Sequence, residues 1–141
     1  MATNNKKSLR DFESFDDMVS KRAEVLGGDG TTFPITGFGK EWHLAAPDMQ
    51  AADWNDTFTA LHMDLQDGLI GSAGYRDELL DLILGEEQAD EFRKACDKAN
   101  GGKGVDPAPL INRALEAYNE DRRENPTRPK SQNGRQRPRR R

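Results

Sequence analysis

Two histidines, one cysteine and 25 acidic residues are the groups this chain could use for nucleophilic, acid–base or metal chemistry. Cys96 lies on a helical stripe with Phe92 and Ala99, so a buried thiol behaving as a small hydrophobe is predicted. His43 alternates with Trp42 and Leu44 and should face away from their apolar side. His62 lies one step off a Trp54-Phe58-Leu61-Leu65 stripe. Neither histidine has a second ligand three or four residues on, and Gln66, a turn beyond His62, is a poor zinc ligand. Both are predicted to be solvent-exposed. Gly37-Phe38-Gly39-Lys40 looks superficially like a phosphate loop, but Glu41 follows the lysine where a hydroxyl residue and a helix are needed. Acidic pairs such as Asp16-Asp17 and Glu86-Glu87 fit solvated helix starts, and no calcium-loop spacing occurs. No catalytic residue, metal or cofactor is expected.

The elements that would hold these residues are mostly helical. Leu9, Phe12, Phe15, Met18 and Val19 recur at helical spacing between Ser8, a capping serine, and Gly27-Gly28. Thr31 to Thr36 and Glu41 to Leu44 alternate around the Gly37–Lys40 turn and predict a β-hairpin. Phe33, Ile35, Trp42 and Leu44 would share one face, with Pro34 marking an edge strand. The stripe from Trp54 to Leu65 predicts a helix with Asp53 as its N-cap. A short helix starting at Ser72 or Gly74 should end at Gly85, and Glu86 to Ala99 should form the next. Asp106-Pro107 is a strong start for a last helix carrying Leu110, Ile111, Ala114, Leu115 and Tyr118, stopped by Asn125-Pro126.

With 141 residues the chain fits one domain at about 100–200 residues each. It is 34% hydrophobic and 33% charged, enough for one modest core. No apolar run reaches the ~18 residues of a membrane span, and the N-terminal stretch lacks the apolar region of a secretory signal. A single cysteine excludes an internal disulfide framework. The net charge of −4 hides an asymmetry: residues 1–124 hold 14 basic against 25 acidic groups. The tail adds Arg128, Lys130, Arg135, Arg137, Arg139, Arg140 and Arg141, without an acid or an apolar anchor. It reads either as a solubilising segment or as an electrostatic arm. The expected fold class is therefore mainly α: a small helical domain with one short β-hairpin on its N-terminal side and disordered termini. Residues 1–10 would be a flexible start, 11–124 the helical domain with its hairpin at about 31–45, and 125–141 a disordered Arg/Pro-rich tail.

Leu79, Leu80, Leu82, Ile83 and Leu84 put five aliphatics into six positions. At 100° per residue they cover an arc of roughly 200°, about twice what a one-sided helix needs. Either this is a central helix packed on two sides, or one flank is left for a partner or a second copy. In the second case Leu80 and Leu84 are expected to form the outward flank, and the five residues are the candidate partner-binding site.

The order of features resembles the tail assembly chaperones of long-tailed, siphovirus-type bacteriophages, as in phages of actinobacterial hosts. The likeness rests on the Phe12-to-Met18 helix, the glycine-rich approach from Gly27 to the Phe33-Pro34-Ile35 strand, and the Leu79-Leu80-Asp81-Leu82-Ile83-Leu84-Gly85-Glu86-Glu87 helix end. The last helix from Ile111 to Tyr118 and the Pro/Arg tail complete it. The resemblance implies a non-enzymatic helper in virion assembly. It would bind the tape measure protein and keep it soluble during tail assembly. It would act in the host cytoplasm and be absent from the mature virion. Two other readings stay open: a small virion scaffold or head–tail connector, or a nucleic-acid-binding module using the basic tail. Aromatics interleaved with the arginines would favour the latter, and none follows Tyr118.

Overall fold

The computed structural model describes residues 14–124. The expectations for Ser8, Leu9, Phe12, the Asn125-Pro126 stop and the arginines from Arg128 to Arg141 lie outside the described residues. Within them the architecture is mainly helical with one two-stranded antiparallel hairpin. Helix α1 (Phe15–Leu26) leads into β1 (Thr32–Gly37) and β2 (Lys40–Ala45). A 3-10 turn (Pro47–Met49) precedes α2 (Ala52–Gln66), α3 (Ser72–Leu84), α4 (Glu86–Lys98) and α5 (Pro107–Glu124).

Local chemistry explains most of the boundaries. Ser14 caps α1 by accepting from the Asp17 N–H, and Asp16 and Asp17 sit favourably in its first turn. Asp106 accepts from the Ala108 N–H to start α5, with Pro107 at the first helical position as the sequence predicts. Asp53 is not the cap of α2. The chain enters that helix earlier, at Ala51, where Asn55 donates to the carbonyls of Pro47 and Ala51 and ties the helix start to the 3-10 turn. Gly85, at φ 83°, ends α3 and begins α4 in one residue, a corner that a Cβ would strain.

The hairpin turns through Phe38 and Gly39 at φ 51° and 81°, both positive as a type I′ turn requires. Its register pairs Phe33 with Leu44 and Ile35 with Trp42, so these four do share the inward face. Pro34 lies opposite His43, whose N–H and C=O point outward. Pro34 therefore costs the ladder no hydrogen bond. The Gln88 side chain both accepts from the His43 N–H and donates to its carbonyl, covering part of the open edge of β2 as another strand would.

The core lies between the hairpin and the last three helices. Phe33, Trp42 and Leu44 meet Leu79, Leu80 and Ile83 of α3, Phe92 and Cys96 of α4, and Ile111, Leu115 and Tyr118 of α5. Phe33 stacks on Tyr118 with centroids 4.4 Å apart, and Trp42 meets Phe92 edge-on at 5.1 Å. Each such buried side chain contributes about 1.5–3 kcal/mol of transfer free energy.

This arrangement corrects the expected outward flank of α3. The helix packs against α2, α4, α5 and β2. Leu79, Leu80, Ile83 and Leu84 are all buried, and Leu82 alone of the five keeps partial exposure. The wide aliphatic arc is the signature of a central helix, because neighbours cover it on several sides.

Candidate protein-binding groove

Among the described residues no three His, Cys, Asp or Glu side chains gather in a geometry that could hold a metal ion. His43 is exposed on the outer face of β2, 3.8 Å from Glu41. Cys96 is fully buried on α4, and burial pushes its thiol up to about 11, far from a reactive thiolate. Lys40, the lysine of the glycine-flanked turn, pairs with Glu91 at 2.6 Å and lies over the Trp42 ring.

His62 departs from expectation. It is half-buried, its Nδ1 3.0 Å from the Phe58 carbonyl and its Nε2 3.0 Å from the Tyr75 hydroxyl, which also accepts from Asn112. The ring packs edge-on between Phe58 and Tyr75. It joins α2, α3 and α5 because α3 folds back along α2, a long-range event that stripe counting on one helix does not register.

The second polar network is more deeply set. Tyr118 donates to Asp48 Oδ1 at 2.7 Å and accepts from Arg22 Nη2 at 2.6 Å. Arg22 Nε reaches Asp48 Oδ2 at 3.2 Å. Burial first, and then its hydrogen bond to Asp48, pushes the Tyr118 phenol up to about 12. Both networks join elements, and beside the second the buried Arg122 Nε stands 3.8 Å from Asp48 Oδ2 without a hydrogen bond. Neither presents an activated group to a cleft.

The surface offers something of a different kind. At the tip of the hairpin Phe38 is held out 45% exposed by its left-handed backbone, with its ring 5.8 Å from Phe92. Beside it runs a groove of about 350 Å³ between the hairpin and α5, lined mainly by Ile35, Phe38, Trp42, Leu110, Ala114 and Ala117. Leu110, 42% exposed at the first turn of α5, forms the opposite lip, and Arg113 stands at the rim. A floor of buried Trp42, Leu44, Phe92 and Ile111, a protruding aromatic on one side and a leucine with small alanines on the other suit the apolar face of a helix.

The sequence reading passed over this site. By local pattern Phe38 reads as a turn residue and Leu110 as part of the apolar stripe of α5. The available signal was a phenylalanine inside a Gly-x-Gly hairpin turn, at a position where glycine, asparagine or aspartate is the usual choice. No protein-family model, curated protein or solved structure matches the chain.

Proposed function

We propose that this protein is a non-enzymatic binding protein that holds an apolar helical segment of a partner in the groove beside Phe38. In the tail-assembly reading that partner is a tape measure protein, kept soluble in the host cytoplasm until the tail forms and released before the virion matures. The observation that carries this reading is the exposure of Phe38 and Leu110 on either side of an apolar groove. At roughly 25 cal/mol per Å², burying about 100 Å² of their apolar area against a partner yields about 2.5 kcal/mol, more than the about 0–1 kcal/mol of a rim ion pair. The acidic excess of residues 1–124 would keep such a complex soluble. Among the described residues no helix is long and apolar enough to cross a membrane, which accords with partners met in water.

The test is co-expression with a tape measure protein and co-purification of the pair. Phe38→Asp and Leu110→Asp, both on exposed positions, should keep wild-type helicity and reduce capture at least about tenfold. Unchanged capture by both variants, or no capture by the parent protein, would overturn the proposal. Presence of the protein at fixed stoichiometry in purified particles would favour the scaffold or connector reading instead.

A further inference from the structure

A single apolar face runs the whole length of α1. At 100° per residue, Phe15, Met18, Val19, Arg22 and Leu26 fall within an arc of about 100°. The second half of that face is seated, with Arg22 buried against Asp48 and Tyr118 and Leu26 packed on the core. The first half overhangs: Phe15 is 79% exposed, Val19 57% and Met18 39%. Asp16 stands at one edge of this overhang, about 100° round the helix from Phe15, and Asp17 lies on the far side of the helix.

A complementary surface lies on the other side of Phe38 from the apolar groove. It is a shallow trough of about 650 Å³ between the hairpin tip and α4, with Trp42 and Ala95 at its base. Lys40, Lys94 and Lys98 rim it. Lys40 is engaged by Glu91, whereas Lys94 and Lys98 make no ion pair within 4 Å among the described residues.

We propose that this trough receives the α1 overhang of a second copy of the chain. The apolar turn carrying Phe15, Met18 and Val19 would lie against Phe38, Trp42 and Ala95, and Asp16 would face Lys94 and Lys98. Charge complementarity selects this pairing over the simplest alternative. Overhang against overhang would bring the Asp16 carboxylates of two chains to one seam with no cation between them, which like-charge repulsion opposes. One overhang in one trough is a small contact for a stable complex. A two-fold axis makes it reciprocal, so each chain gives one overhang and receives one. Phe38 and Trp42 border both surfaces, so the two proposals are told apart by Leu110 on the α5 side and by Lys94 and Lys98 on the α4 side.

Sedimentation equilibrium of the full 141-residue chain, from micromolar to submillimolar concentration, provides the test. A monomer–dimer equilibrium that weakens with added salt is expected. Lys94→Glu/Lys98→Glu and Asp16→Lys should each weaken it at least about tenfold, and the chain carrying all three changes should recover most of the loss. Phe15→Ser should weaken it comparably. Circular dichroism checks that helicity is retained, and the neutral variants Lys94→Gln/Lys98→Gln and Asp16→Asn replace any variant that unfolds. A monomer at every concentration, self-association indifferent to the lysines, or no recovery in the combined variant would overturn the proposal. Leu110→Asp, which reports on the partner groove, should leave self-association unchanged, so the two proposals can fail separately.

Discussion

Tyr118 and Asp48 stand 70 residues apart in the chain and share a 2.7 Å hydrogen bond that ties the last helix to the turn before α2. The same hydroxyl accepts from Arg22 at 2.6 Å, so α1 is held through this one phenol as well as through the Arg22–Asp48 ion pair. Tyr118→Phe keeps the ring and its stack on Phe33 but leaves two charged groups each short of one partner. A loss of about 1–3 kcal/mol in urea unfolding is expected. Unchanged stability would mean that the arginine and carboxylate already satisfy each other.

Alkaline pH should destabilise the protein in a defined window. Cys96 is held at about 11 against an ordinary 9.0, and Tyr118 at about 12 against 10.0. Both are neutral when protonated, so the folded chain holds these protons more tightly than the unfolded one. Their contribution is complete below pH 9. It is lost between about 9 and 11 for Cys96 and between about 10 and 12 for Tyr118. Thermal melts across that range should show a falling Tm. Cys96→Ala should flatten the lower part of the fall and Tyr118→Phe the upper part.

The α3 leucines should behave as core. Leu80→Ala is expected to cost about 2–5 kcal/mol, and Leu80→Glu/Leu84→Glu to abolish cooperative folding. Leu82→Ala, at the partly exposed position, should cost much less. Chemical denaturation of the three variants checks the ranking, and wild-type stability in the double glutamate variant would contradict the packing described.

The hydrogen bonds around His62 dictate its tautomer. The Phe58 carbonyl can only accept, so Nδ1 must carry the proton. In the neutral ring Nε2 is then the acceptor, and the Tyr75 hydroxyl donates to it while accepting from Asn112. Nitrogen-15 NMR should find the neutral ring in the less common Nδ1–H form. Asn112→Ala should cost about 1 kcal/mol by releasing Tyr75 from one side.

Local order was legible in the residues themselves. The alternation of Phe33, Ile35, Trp42 and Leu44 set the inward face of the hairpin, and Asp106-Pro107 marked the start of α5. Gly85 marked the corner between α3 and α4, and the stripe through Phe92 placed Cys96 inside. These features depend on the period of a strand or helix and on capping chemistry within a few residues, so sequence neighbours suffice to specify them. Tertiary structure decided the rest. Whether the broad arc from Leu79 to Leu84 meets solvent depends on how many elements surround α3, and four of them do. His62 gained its partners only when α3 returned along α2, and Asp48 met Arg22 and Tyr118 across separations of 26 and 70 residues. The groove beside Phe38 exists only where a hairpin tip, α4 and α5 converge. Periodicity shows which side of a helix is apolar; only packing decides which apolar surface is left over for a partner.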